Sequence, residues 1–275
     1  MTATGRGALS DRYGLRMEVP SLAFRTDLAL AGTAGSEVED HGDHIAVRTP
    51  DNPAYYWGNY LLLPRAPAAG EVPEWDAVFT RTFPACRHRA YGVATADGNR
   101  EQLTAFEGAG LDTSAATVMT ATAVHEPRRP NREATYRPLA TDGDWEQQVW
   151  LLATGEAGAS PDFVVAKVAA ERRMTQTGAG AWWGAFLGDR LLSSMGLFAA
   201  SPGLARFQEV QTHPEARGRG LAGTLVHEVS RYGLEELGAT TLVMVADPDY
   251  LAIRIYRSVG FADTETQLQA ERRPA

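Results

Sequence analysis

The strongest constraint on this chain is that it repeats itself. Displaced so that Pro64 falls on Pro214, an offset of 150 residues, the sequence also sets Gly70 on Gly220, Asp97 on Asp247, Phe106 on Tyr256, Gly110 on Gly260 and Leu111 on Phe261, with no gap. Each proline follows a strand-like run, NYLLLP and FQEVQTHP. Each aspartate ends another, RAYGVATAD and TTLVMVAD. Each final glycine follows a short helical pattern, EQLTAFEGAGL and YLAIRIYRSVGF. Repeated element order, punctuation and spacing together point to two copies of one strand–helix–strand–helix fold. The Pro- and Arg-rich stretch EPRRPNRE divides the copies. The expected organisation is therefore a tail at 1–20, a first domain at 21–125, a linker at 126–133 and a second domain at 134–270.

The second half carries more detail. Asp142 or Asp144 is placed to cap a helix over WEQQVWLLATG, and Ser160-Pro161 opens another over 161–176 with Val164, Val165, Val168 and Ala169 on one face. GAWWGAFL and LLSSMGLFAA flank Gly188-Asp189 as a hairpin, followed by an alternating strand Ala205–Thr212. Then come a Gly-rich turn, a helix over 221–237, a strand over 240–246 and a helix over 250–258. A hairpin sheet feeding a strand–helix–strand crossover gives an α/β (α+β) fold class with a mixed sheet.

Composition narrows the function. The 275 residues hold 26 Lys+Arg against 34 Asp+Glu, a net charge of −8, so the chain lacks the basic footprint of a nucleic-acid binder. The lone cysteine, Cys86, forbids an intrachain disulfide and a Cys-rich zinc site. No apolar run reaches the roughly 18 residues of a membrane span, and residues 1–20 lack a signal-peptide core. A soluble, cytoplasmic protein is expected.

Against this acidic background stands Arg217-Gly218-Arg219-Gly220-Leu221-Ala222-Gly223, between a strand and a helix. Two early glycines permit a tight turn, and the first amides of a helix have no partners of their own, so the stretch reads as a diphosphate seat. It also matches G-x-G-x-x-G literally, but the preceding strand FQEVQT is half polar. No acidic strand end follows at about 20 residues, and no Lys-Ser/Thr follows the glycines. A Rossmann dinucleotide site and a P-loop are therefore disfavoured.

The segment Val210-Gln211-Thr212-His213-Pro214-Glu215-Ala216-Arg217-Gly218-Arg219-Gly220-Leu221-Ala222 and the segment Asp249 to Phe261 together resemble the GNAT family of N-acetyltransferases. Arg217, Gly220 and Ala222 fit its Arg/Gln-x-x-Gly-x-Gly/Ala signature. The second segment fits Asn-x-x-Ala-x-x-x-Tyr-x-x-x-Gly-Phe, with Asp249 where Asn is usual. The resemblance covers about 134–268. It implies acetyl-CoA as co-substrate, no metal, and transfer to a primary amine of a small molecule or peptide. Nucleic acid and membrane are not implied as partners, whereas a homodimer is compatible with it. By the same resemblance Val210, Gln211 and Thr212 pair with the pantetheine arm and Arg217 to Gly223 hold the pyrophosphate. Asp249 and Ile253 complete the cofactor contacts, the Val210 N–H polarises the thioester, Tyr256 is the general acid and Glu209 the base. Two other readings stay open: a CoA-binding regulatory protein without turnover, and a Rossmann-type enzyme.

The first half serves as an internal control. At the same offset Arg217 becomes Pro67, Gly218 Ala68, Arg219 Ala69, Leu221 Glu71 and Tyr256 Phe106; only Gly70 survives. Two cations are lost and a carboxylate gained, so this half is expected not to bind CoA. His213 and His227 read as structural or surface-exposed. One of Trp182 and Trp183 is expected in the core and the other beside an acceptor pocket. The aromatic run Tyr55-Tyr56-Trp57 with Tyr60 reads as core, or as a wall of that pocket.

Overall fold

The structure, a computed structural model, describes residues 16–155 and 160–274. In chain order these form α1 (Leu22–Ala34), β1 (Glu37–Asp40), β2 (Ile45–Arg48), β3 (Tyr60–Leu63), α2 (Val72–Thr82), β4 (Arg89–Val93), α3 (Thr104–Gly108) and β5 (Asp112–Ala121). There follow β6 (Thr135–Pro138), α4 (Asp142–Gly155), α5 (Pro161–Gln176), β7 (Gly180–Leu187), β8 (Arg190–Ser201) and β9 (Leu204–Thr212). The chain ends with α6 (Leu221–Glu235), β10 (Thr241–Ala246), α7 (Ala252–Val259) and β11 (Ala262–Arg272). Two compact units result. Among the described residues, one holds 16–118 with 245–248 and 264–274; the other holds 119–155, 160–244 and 249–263.

The first unit is a mixed sheet in which β1, β2 and β3 are successively antiparallel and β3 runs parallel to β4. Its next strand comes from the far end of the chain: Leu268 to Arg272 of β11 pair antiparallel with Val93 to Arg89. The core gathers Phe24, Leu28, Ile45, Leu61, Leu62, Phe79, Tyr91 and Phe106. Tyr60 is buried, and Tyr56 and Trp57 pack against this core, as the aromatic run requires. Of the expected loose tail, residues 1–15 lie outside the described residues. Met17 and Val19, by contrast, are buried core members, because apolar side chains there meet the sheet.

The second unit repeats the order. β6, β7, β8 and β9 are successively antiparallel, and β9 runs parallel to β10. The β7–β8 hairpin turns at Gly188, whose φ of +58° needs a residue without a Cβ. Helix α6 lies against β7, β8 and β9 and buries Leu221, Leu225, Val226 and Val229. Gly233 is required where α6 meets the sheet: a Cβ there falls 2.6 Å from Leu197 Cδ2 and 2.8 Å from Leu242 Cδ2.

Two local expectations need correcting. Helix α4 is capped by Thr141, whose Oγ1 accepts from the Asp144 N–H at 3.1 Å, while Asp144 returns the bond to the Thr141 N–H at 3.1 Å and pairs with Arg137. This is a reciprocal cap, and neither Asp142 nor Asp144 acts as the N-cap residue. In α5, capped by Ser160 as expected, Val165 and Ala169 face solvent, and the buried face is Val164, Lys167, Val168, Glu171 and Met174. Among the described residues no helix is long and apolar enough to cross a membrane.

Because β11 contributes Leu268, fully buried opposite Val93, to the first unit, Leu268→Ala is expected to cost about 2–5 kcal/mol. Denaturant unfolding of the full chain checks this; an unchanged midpoint would mean that β11 does not support that core.

Candidate functional site

The site begins where β9 stops being regular. The β9–β10 ladder pairs Leu204, Ala205 and Arg206 with Thr241, Leu242 and Val243, and its register goes no further. On the other edge the β8–β9 register slips: Ser194 faces Gln211 but Gly196 faces Gln208, so Glu209 and Val210 share one position opposite Met195. Such a bulge bends a strand and re-aims its groups. Glu209 takes up the distortion with φ +29°, the only positive φ at a non-glycine among the described residues. Strain of this kind persists only where the surroundings impose it.

After β9 the chain makes a 3-10 turn over Pro214–Ala216 and reaches α6 through Gly218 and Gly220, at φ +74° and +79°. Gly220 is the N-cap and has no side chain with which to cap. The first bond to the helix is Thr224 N–H to Gly220 O. Among the described residues the amides of Gly218 through Gly223 therefore donate to no protein acceptor, and Arg217 and Arg219 stand exposed beside them. Oriented amides at the positive end of a helix dipole favour an anion. Arg217 leans on Thr212 O at 3.4 Å, and Arg219 reaches Glu133 at 3.4 Å.

Sequence reasoning overlooked what holds this loop. Asn131 donates its backbone N–H to Thr224 Oγ1 (2.9 Å) and its amide to Arg219 O (2.9 Å), while Thr224 bonds Gly220 O at 3.0 Å. Tyr136 in turn donates to Asn131 O. The stretch read as a linker is a brace for the loop. Only its Asn-x-x-Ala turn, closed by Asn131 Oδ1 accepting from Glu133 and Ala134 N–H, signalled such a role.

Helix α7 joins the same structure. Its Ile255 lies against the first turn of α6, since a Cβ on Gly223 would come 3.3 Å from Ile255 Cγ2. Phe261, just past the helix, meets Phe207 of β9 edge-on with ring centroids 5.8 Å apart. Ile253 and Tyr256 are buried, and Asp249 lies exposed ahead of the helix. The Tyr256 hydroxyl makes no protein hydrogen bond among the described residues. Burial, with a smaller contribution from Tyr250, pushes its phenol well above the ordinary 10.0. It stays protonated across the physiological range.

Below Glu209 lies a second cluster absent from the sequence reading. The Lys167 ammonium pairs with the Glu209 carboxylate, and Glu171, one turn along α5, accepts from Gln148 Nε2 at 2.9 Å. A charged pair spaced four apart, on the same face as Val164 and Val168, was the available signal. Of the two histidines, His213 is buried, stacks on Trp150 at 4.7 Å and accepts from the Glu215 N–H, and His227 sits beside Glu228. Trp182 is in the core, while Trp183 tilts against Tyr232 at 5.3 Å.

The corresponding loop of the first half is filled from within. Glu71 accepts from the Ala68 N–H at 2.8 Å and from both terminal nitrogens of Arg65. The Arg65 hydrogen bond, and next the Ala68 amide, hold its carboxyl down at about 2. Phe106 is fully buried and stacks on Tyr91.

The FR47-like protein family matches residues 184–270. No curated protein matches the chain. Among solved structures, a GCN5-related N-acetyltransferase from Kribbella flavida superposes with a TM-score of 0.64 at 15% identity, over 93% of this chain and 97% of that one. One from Sphaerobacter thermophilus gives 0.56 at 15% identity, over 94% and 93%. A tandem GNAT protein from the clavulanic acid biosynthesis pathway gives 0.58 at 11% identity, over 100% and 97%. At these identities the likeness is one of fold: the chain has the fold of the GCN5-related N-acetyltransferases, in tandem.

The two loop glycines are separable by experiment. Gly218 has open space around its Cβ position, so Gly218→Ala is expected to cost only the left-handed penalty, about 1–2 kcal/mol. A Cβ at Gly220 lies 2.6 Å from Arg129 O, so Gly220→Ala should cost about 1–3 kcal/mol more. Equal costs in denaturant titration would mean that the 126–133 stretch does not brace the loop.

Proposed function

We propose that the second unit is an acetyl-CoA-dependent N-acetyltransferase acting on a primary amine, and that the first unit does not bind CoA. One observation carries the reading: beyond a bulged strand that has left its parallel neighbour and a short 3-10 turn, six amides in a row at the entry to α6, Gly218 to Gly223, have no protein acceptor among the described residues. The residues present fit the co-substrate. Its pyrophosphate would accept from Gly218 to Gly223, with Arg217 and Arg219 adding charge that an acidic chain otherwise lacks. Its amide-bearing arm would add to Val210, Gln211 and Thr212 of β9 as a strand adds to a sheet edge. Asp249 and Ile253, before and within α7, would complete the contacts.

The chemistry follows from what the side chains can donate and accept. The Val210 N–H, re-aimed by the bulge, polarises the thioester carbonyl as negative charge develops on its oxygen. An acceptor ammonium gives one proton to Glu209, directly or through water, and the freed nitrogen attacks the acyl carbon. The C–S bond breaks as the leaving sulfur takes the Tyr256 proton, and the second proton of the attacking nitrogen passes to the resulting phenolate, which leaves a neutral amide and a restored phenol. A phenol raised by burial is neutral when needed and carries no competing hydrogen bond. The net acidity of the chain suits a cationic acceptor.

Tyr256→Phe is expected to lower kcat by about 10²–10⁴-fold while CoA affinity stays within about twofold. Thiol release from acetyl-CoA across an amine panel and calorimetric titration with CoA measure the two. CoA retained with no thiol released by the wild-type chain would favour a binding protein. The same titration should give one CoA per chain, and Arg217→Ala with Arg219→Ala should weaken it and flatten its salt dependence. Two sites per chain would overturn the assignment of the first unit.

A further inference from the structure

The loop that enters α6 is held at two consecutive peptide groups. Asn131 Nδ2 donates to Arg219 O at 2.9 Å, and Gly220 O accepts from Thr224 Oγ1 at 3.0 Å and from the Thr224 N–H at 3.1 Å. The two holds are joined, because the Asn131 backbone N–H donates to the same Thr224 oxygen at 2.9 Å. Asn131 is itself fixed. Its Oδ1 accepts from the N–H groups of Glu133 and Ala134, both at 3.0 Å, and its carbonyl accepts from the Tyr136 hydroxyl at 2.9 Å. Two donors at one end of the side-chain amide and a carbonyl at the other leave it a single orientation. The backbone of 129–131 closes the space behind Gly220: the position of a Cβ there lies 2.6 Å from Arg129 O and 3.5 Å from Asn131 N.

A trans peptide is planar, and its C=O and N–H point in opposite directions. Tying the Arg219 carbonyl to Asn131 therefore aims the Gly220 N–H to the other side, and tying the Gly220 carbonyl to Thr224 does the same for the Leu221 N–H. These are two of the six amides without a protein acceptor among the described residues. Untied, the Arg219–Gly220 peptide has little to stop it turning over, since the turn is taken up by ψ of Arg219 and φ of Gly220, and glycine accepts either sign of φ. Turned, the Arg219 carbonyl oxygen would stand where the N–H had stood and repel a phosphate oxygen. We infer that Asn131 and Thr224 are positioning residues for the diphosphate: together they latch this peptide with its N–H toward the ligand. The role rests on the second unit binding CoA.

The first half shows the same turn without the latch. At the offset of 150 residues Glu74 stands in the place of Thr224 and has no hydroxyl. Gly70, the counterpart of Gly220, is not among the glycines of positive φ, whereas Gly220 is held at +79°.

The test compares the full-length wild type with Asn131→Ala, Asn131→Asp, Thr224→Val and Thr224→Ser, each checked for folding by circular dichroism. Calorimetric titration with CoA should show about tenfold weaker binding in Asn131→Ala and in Thr224→Val, since one hydrogen bond no longer holds the competent peptide. Either variant carries this comparison if the other does not fold. Thr224→Ser keeps the hydroxyl and should stay within about threefold of wild type. With acetyl-CoA as donor, KM should rise by the same factor while kcat holds, because a chain that has bound the diphosphate has its peptide in place. Asn131→Asp separates the latch from general support. It keeps the Oδ1 that accepts from Glu133 and Ala134 but sets a carboxylate oxygen against Arg219 O. In its crystal structure the Arg219–Gly220 peptide should be turned over, with the Gly220 N–H donating to the new carboxylate, and its CoA affinity should be the lowest of the set. A peptide left unturned in that structure overturns the latch, as does a CoA affinity unchanged in the folded variants. A fall in kcat equal to the fall in kcat/KM makes the two residues general supports of the fold and also overturns it. A wild-type chain that binds no CoA overturns the acetyltransferase reading instead, and the Asn131→Asp crystal structure then decides the latch alone.

Discussion

Buried or not, backbone amides seek an acceptor, and among the described residues the geometry after β9 gives six in a row no protein partner. A helix always leaves its first N–H groups open, but here the N-cap is a glycine, the residue two before it is another, and both sit in the left-handed region. No side chain folds back over the amides. What keeps the loop open is a set of bonds from behind, from Asn131 to the Arg219 carbonyl and to Thr224, which leave the donor face untouched. The strand before the loop and the helix packed behind it take their places from this turn, through Ile255 against Gly223 and Phe261 against Phe207.

The first half shows the alternative solution to the same constraint. There a carboxylate of the chain's own, Glu71, occupies an amide of the equivalent turn and is itself neutralised by Arg65. The chain's own carboxylate thus takes a donor of this turn. The fully buried Phe106 in place of Tyr256 removes the ionisable proton as well. The same fold thus carries a loop with open amides in one copy and a loop bonded to its own carboxylate in the other.

Much of the architecture was legible because it is written in local patterns. The β7–β8 hairpin, β9, α6 and the cap of α5 fall within a few residues of their expected places. Each depends on a glycine, a proline, a serine cap or an alternating run that acts over a handful of positions. The buried face of α5 was misread because Val165 and Ala169 look as apolar as Val164 and Val168. Choosing between two adjacent faces needs the partner, and the true face contains a lysine that pairs with Glu209 and a glutamate that accepts from Gln148.

The sequence alone determined the duplicated element order, the open loop of the second copy and its loss in the first, since these rest on glycine conformation and charge, which belong to residues. Tertiary structure decided three other things. It set β11 beside β4, bent β9 at Glu209 and brought Lys167 of α5 to the Glu209 carboxylate. Each of these is a meeting of segments far apart in the chain, and contact energies between distant residues leave no periodic trace in the sequence that carries them.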